Sequence, residues 1–220
     1  KLTNGTTISF LPDKEIFKEG IIFEWDRLLK SVRERAYLVP GLFFHLKDQR
    51  KEPPEQFNLY FEGGIVALVE KLNEHRTPLH KPIFIQKKND SVEIEVVIQY
   101  WDGYSEHLES FVNVINTADG GSHVTGFRMA LTRSINDYGK KIGAFKEEED
   151  QILGEDTREG LTAVLAVRMS QDKIQFEGQT KGKLGNAEIQ PLTQAIVKEG
   201  LDTYLEENPT DGRRILENVY

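Results

Sequence analysis

A chain of 220 residues, 38% hydrophobic and 29% charged, carries enough apolar content to bury a substantial core in one domain and too much for global disorder. Its 28 Lys+Arg against 36 Asp+Glu leave a net charge of −8, so the average surface repels polyanions and any nucleic-acid contact has to be local. With no cysteine there is no disulfide framework, thiolate zinc site or cysteine nucleophile, and no apolar run approaches the roughly 20 residues that span a bilayer. The expected location is the cytoplasm. Starting at Lys1 rather than at Met, the sequence reads as a piece of a longer protein.

Residues 5–11 (GTTISFL) are β-branched and aromatic and stop at Pro12-Asp13, which predicts a strand and a turn. Trp25, Leu28, Leu29, Val32 and Tyr37 recur at helical spacing among arginines and lysines, predicting an amphipathic helix that ends near Pro40-Gly41. Strands at 42–46 and 57–61 around a charged Pro-Pro turn predict a hairpin with a long loop. Gly63-Gly64 opens a helix through 65–72, and 83–86, 92–100 and 107–114 read as strands. In 92–100 the alternation of Val92, Ile94, Val96, Ile98 and Tyr100 predicts one buried face. Val124, Phe127, Leu131, Ile135 and Tyr138 form a helical stripe. A charged loop at 146–156 follows, then strands at 161–167 and 174–176, a helix at 192–204, and a last helix after Asn208-Pro209-Thr210. The mixture of elements without repeats predicts an α/β (α+β) fold, a two-layer sandwich.

The most informative stretch is Phe176-Glu177-Gly178-Gln179-Thr180-Lys181-Gly182-Lys183-Leu184-Gly185-Asn186, a glycine-rich loop between a strand and a helix. Glycines permit close backbone approach, and a lysine ammonium is a point charge suited to phosphate. It is not a Walker A loop: Gly178-x-x-x-Gly182-Lys183 is one residue short, and Leu184 stands where a magnesium-binding hydroxyl belongs. By spacing alone it is a connecting loop. Asp119-Gly120-Gly121 lacks the spacing of a nucleotide-fold glycine box and reads as a turn into a helix, with Ser122 as a candidate N-cap. His45, His75, His80, His107 and His123 show no metal-ligand spacing, and the acidic run 147–150 lacks the alternation of a calcium loop, so no metal site is expected.

Taken in order, six segments resemble the B subunits of bacterial type II DNA topoisomerases, gyrase foremost and topoisomerase IV close behind. They are residues 5–13, Phe61-Glu62-Gly63-Gly64-Ile65, Asp119-Gly120-Gly121-Ser122-His123, Gly126-Phe127-Arg128, Arg158-Glu159-Gly160-Leu161 and the Gln179-Thr180-Lys181 loop. The resemblance implies a transducer domain with a ribosomal-protein-like fold and a left-handed βαβ crossover. It implies three parts: 1–12 as the terminal strand of a GHKL-type ATP-binding domain, 13–206 as the transducer, and 207–220 as a helix leading towards a TOPRIM cleavage domain. In that family the QTK lysine reaches the γ-phosphate of ATP held by the preceding domain and the glutamine helps to orient it; carried over, these are Lys181 and Gln179. The arginine of the GFR segment lines a cavity through which a DNA duplex passes, which points to Arg128, with Arg133 as a second DNA-binding candidate.

At about 100° per residue Arg128 flanks the apolar stripe and Arg133 points nearly opposite it, so the two need not share a face. The resemblance further implies ATP and Mg2+ in the intact subunit, and as partners double-stranded DNA, the gyrase A subunit and a second B subunit in an A2B2 enzyme. No catalytic residue is expected within this piece, which alone should be inactive, although it belongs to an ATP-hydrolysing topoisomerase that couples nucleotide turnover to strand passage and negative supercoiling. The alternatives are a topoisomerase IV subunit, which decatenates, a stand-alone nucleic-acid-binding or adaptor domain, and an independent small-molecule kinase; the last needs a phosphate loop that the spacing denies it.

Overall fold

The computed structural model describes residues 4–8, 13–18, 22–145 and 151–220. Within these, a five-stranded sheet is ordered β3-β4-β7-β5-β6, with β3 at Ile83–Asn89, β4 at Val92–Tyr100, β5 at His107–Val112, β6 at Ile115–Asn116 and β7 at Leu161–Arg168. All neighbours are antiparallel except β5 and β7, which run parallel and are joined through helix α3 (Ser122–Lys141). A parallel pair needs such a crossover, because no tight turn can return the chain to the same end of the sheet. Central β7 is buried on both faces from Leu161 to Val167, as its continuous apolar run requires.

The main core lies between the sheet and α3 with α4 (Ile189–Glu207). Phe127, Leu131 and Ile135 meet Val96, Ile98 and Leu165 there, and Ile196, Val197 and Leu201 extend the layer. The last helix, α5 (Pro209–Val219), joins the same core through Ile215, Leu216 and Val219. Helix α4 starts a turn before the expected 192 because Pro191 sits in its first turn, where a missing N–H costs no helical bond.

The sheet's opposite face is also covered. Helix α2 (Gly64–Leu72) and the end of α1 (Trp25–Leu38) pack Ile65, Leu68, Val69 and Tyr37 on Val97, Phe111, Val164 and Ala166. The one-face expectation for β4 therefore fails over its second half: Val97 and Gln99 are as buried as the residues alternating with them. The two-layer sandwich accordingly gains a smaller helical cover on its far side.

The hairpin of β1 (Phe44–Asp48) and β2 (Glu55–Leu59) is present but lies two residues further towards its turn than expected. The side chain of Asp48 accepts from the backbone N–H of Arg50 at 3.0 Å and pairs with its guanidinium at 2.7 Å, which carries strand pairing up to the turn. At the other end Phe61 leaves the ladder to stack on Tyr37 with ring centroids 3.8 Å apart. Of the strand expected at 5–11, residues 5–8 pair with no strand among the described residues and the remainder falls outside them; the acidic run at 147–150 also falls outside.

Candidate functional site

The glycine-rich stretch is the tip of a small hairpin rather than a loop between a strand and a helix. Strands β8 (Phe176–Glu177) and β9 (Lys183–Leu184) pair in the register Phe176↔Leu184 and Glu177↔Lys183, and residues 178–182 turn between them. The turn bends through positive φ at Gly178 (83°) and Lys181 (57°), and Lys181 N–H donates to the carbonyl of Gly178 at 3.3 Å. Gln179, Thr180 and Lys181 are all exposed at the tip. The two lysines differ in their surroundings: Lys183 is held by Glu177 at 3.0 Å, whereas Lys181 has no ion pair among the described residues. A cation left unpaired on an exposed turn can meet an anion without first giving up a partner.

The base of the hairpin is fixed on two sides. Asn186, almost wholly buried, accepts from the N–H of Gln175 at 2.7 Å and donates to the carbonyl of Lys173 at 2.9 Å and to Glu188 Oε1 at 2.8 Å. On the other side, Leu184 N–H donates to the carbonyl of Gly120 at 3.1 Å and Asp119 N–H to that of Gly182 at 2.9 Å. The hairpin is thereby bonded to the turn that opens α3. That turn stands where the sequence predicts it, but its cap differs. Gly121 occupies the N-cap position, Ser122 is already helical, and its Oγ is buried without a hydrogen-bond partner.

In the first turn of α3, His123 is fully buried and its Nε2 lies 3.0 Å from Thr117 Oγ1, which itself exchanges hydrogen bonds with Ser110 on β5. Burial pushes the His123 pKa down to about 4, so the ring is neutral and structural. Among the described residues no cluster of three His, Asp or Glu could hold a metal ion.

The Gly-Phe-Arg segment divides its work among three directions. Gly126 meets α4 so closely that a Cβ there would lie 2.3 Å from the carbonyl oxygen of Gln190; Phe127 is fully buried in the core; Arg128 turns outward. Arg128 Nη2 donates to Glu106 Oε1 at 2.8 Å, and Arg158 Nε lies 3.2 Å from Glu106 Oε2. Arg133 is more exposed and, among the described residues, is within reach of Asp137 at 3.8 Å.

Although it points away from the stripe, Arg133 lines the same open groove of about 610 Å³ as Arg128, together with Lys140 and Arg158. Residues 128, 132, 136 and 140 form one i, i+4 row on α3 and 129, 133 and 137 the next, and the groove covers both rows. A second cavity, about 550 Å³, opens between α1, β5 and the start of α3; there Lys30, Arg128 and Lys183 are balanced by Glu34, Glu109 and Asp119.

Sequence reasoning singled out the Gln179-Thr180-Lys181 turn, Arg128 and Arg133; it did not anticipate Asn186 at the buried base of the hairpin, nor Glu106, Lys140 and Arg158 near Arg128. Arg158 stands within a segment already singled out, and Lys140 lies in the helical row of Arg128, so a row-by-row reading of α3 could have found it. Nothing in the spacing of Glu106 links it to residues 22 and 52 positions away.

The family model for DNA gyrase B matches residues 64–220. Among curated proteins, the DNA gyrase B protein of Staphylococcus epidermidis is 44% identical over 214 residues and that of Enterococcus faecalis 43% identical over 215. Each alignment covers 97% of this chain and 33% of the relative, so the chain spans about a third of the length of these proteins. Among solved structures, the 43K ATPase domain of Thermus thermophilus gyrase B, in complex with an aminocoumarin, superposes with a TM-score of 0.80 at 35% identity, covering 94% of this chain and 55% of that one. The topoisomerase IV ATP-binding domain of Francisella tularensis follows with a TM-score of 0.78 at 25% identity, covering 94% and 55%. The ordered segments, the α/β architecture and a family model matched over most of its length place this chain in the DNA gyrase B family.

Proposed function

We propose that this chain is the transducer of a gyrase B subunit: residues 13–206 with the 207–220 helix packed against them, following a stretch, 1–12, that ends an ATP-binding domain. In this reading it couples ATP binding and hydrolysis to DNA strand passage and negative supercoiling within a cytoplasmic A2B2 enzyme. The observation that carries it is the hairpin tip, which presents Lys181, without an ion pair among the described residues, beside Gln179 while its base is bonded to the start of α3.

Lys181 acts as a sensor. Its ammonium gains a charge-assisted contact only while a γ-phosphate is present, and Gln179 orients that end of the nucleotide. Loss of the γ-phosphate removes the differential interaction favouring the docked hairpin, so the angle between transducer and ATP-binding domain is free to change. ATP itself and Mg2+ would be held chiefly by residues outside this chain, whose donor set does not form a metal site among the described residues. At the other end of the relay, Arg128 and Arg133 neutralise backbone phosphates of a passing duplex without reading its bases.

The test is Lys181→Ala in the intact subunit. Turnover of ATP should fall about 10²- to 10³-fold, the scale of one preorganised donor to a developing charge, while nucleotide binding largely survives. Turnover at the wild-type rate would overturn the sensor role. The likeness to a topoisomerase IV domain keeps decatenation as the second reading of the product. Supercoiling against decatenation by the enzyme assembled with its A-type partner separates the two.

A further inference from the structure

Two arginines that line the groove beside α3 share one carboxylate, an arrangement that the relay does not require. Glu106 precedes β5 and gives one carboxylate oxygen to each of two guanidinium groups: Oε1 to Arg128 Nη2 at 2.8 Å and Oε2 to Arg158 Nε at 3.2 Å. We infer that Glu106 stands in for a nucleic-acid phosphate, so that a duplex entering the groove displaces it and contacts Arg158 as well as Arg128. The inference rests on the reading of Arg128 as a DNA contact and adds to it a competitor and a second contact.

Three observations support displacement over a fixed structural clamp. The geometry is that of a bridging phosphodiester, which likewise has two free oxygens and a single charge to share between neighbouring guanidinium groups. The side chains are neither sealed nor fully solvated: Arg128 is 43% exposed, Glu106 26% and Arg158 27%. Arg128 is also incompletely satisfied in this arrangement, because its Nε is buried and has no acceptor among the described residues. A rotation away from Glu106 therefore need not break a fully bonded state.

The surroundings favour a polyanion as the incoming partner. Among the described residues, Arg128, Arg133, Lys140 and Arg158 line the groove against Asp137, a local excess of positive charge on a chain whose net charge is −8. Adjacent phosphates of a duplex can engage several of these cations at once and release their counterions, which one tethered carboxylate cannot match. The same carboxylate recaptures both arginines as the duplex moves on. Transient passage needs that combination: attraction on entering and an internal competitor that limits residence.

The experiment titrates linear duplex DNA into the assembled enzyme and follows the stimulation of ATP turnover relative to each variant's own DNA-free rate, at several salt concentrations. Glu106→Gln removes the competitor's charge while keeping its size. It should lower the half-saturating DNA concentration about two- to fivefold, the scale of one partly exposed ion pair. Arg158→Ala should raise that concentration and reduce the slope of its logarithm against log salt by about one, and Arg158→Lys should restore the slope. Glu106→Ala, which also loses the side chain's packing, should move in the same direction as Glu106→Gln.

If Arg128→Ala weakens stimulation but neither Glu106 variant lowers the half-saturating concentration, Glu106 is a clamp that positions the arginines and the displacement is wrong. If Arg128→Ala leaves the titration at wild type, the DNA reading of the groove fails and takes this inference with it.

Discussion

Gly121→Ala tests whether the hairpin and α3 are one mechanical unit. Gly121 has φ 132° and ψ −166°, a region open to glycine alone, and forcing an alanine into it costs about 1–3 kcal/mol. A Cβ there would lie 2.4 Å from the oxygen and 2.5 Å from the nitrogen of Leu184, both backbone atoms that no rotamer change can move aside. The strand must retreat, giving up the bond from Leu184 N–H to Gly120, worth about 1 kcal/mol net. Together these give about 2–4 kcal/mol, or roughly 5–15 °C in melting temperature for a domain of this size. Gly178 supplies the control. It too has positive φ, 83°, but nothing lies within 4 Å of its would-be Cβ, so Gly178→Ala should cost only about 1 kcal/mol. Thermal melting together with hydrogen exchange at the Leu184 amide checks both. Equal small shifts for the two variants, with the Leu184 amide still protected, would refute the coupling.

Two further outcomes follow from the same geometry. Asn186→Ala strips three hydrogen bonds from a buried position and should cost about 3 kcal/mol, with new protease sensitivity between Gln175 and Leu184; a melting temperature within a degree of wild type would show that the hairpin is anchored elsewhere. The His123 pKa is depressed in the folded state to about 4, so the unfolded chain binds more protons between that value and about 6.5. Stability contributed by the neutral ring is present above about pH 6.5 and is lost as pH falls towards 4, by an amount on the order of 3 kcal/mol in full. His123→Gln should flatten the stability profile between pH 6.5 and 5, above most carboxylate titrations. His80, whose pKa is also lowered by burial, will leave a residual slope. An unchanged profile in the variant would mean that His123 does not titrate as its burial requires.

Periodicity located the long elements because burial writes a repeat into them. The stripe from Val124 to Tyr138 faces the sheet, and the alternation in β4 faces α3 and α4. It could not show that Val97 and Gln99 are also buried, because that depends on α2 folding across the far face, a contact between parts of the chain some 30 residues apart. The hairpin strands β8 and β9 are only two residues each, too short for any period, and they exist because the start of α3 and Asn186 hold them. Gln179 and Lys181 came from resemblance, and the geometry adds a physical distinction the sequence lacked, since among the described residues Lys183 is paired and Lys181 is not. Ser122 misled because a hydroxyl next to a helix start favours capping, whereas the close approach of Leu184 leaves room at the cap only for glycine.

Under the proposed transducer role, the unit that would carry the movement is rigid rather than elastic. Helix α3 is 20 residues long, about 30 Å, with the hairpin bonded to the turn that opens it and the basic groove along its middle. Near its end, Tyr138 donates to the carbonyl of Pro209 at 3.1 Å and so ties α3 to α5. Between those points it packs on α4 and the sheet with fully buried side chains such as Phe127 and Leu131, an interior that resists continuous deformation. A pull on Lys181 would therefore neither bend α3 nor spread along a chain of side chains. It would move hairpin, groove and α5 together against whatever holds the nucleotide, so that capture of a γ-phosphate at the tip would re-aim Arg128 and Arg158 without altering their shared contact with Glu106. The groove's affinity for a duplex would then be set locally, by Glu106, and its position by the nucleotide.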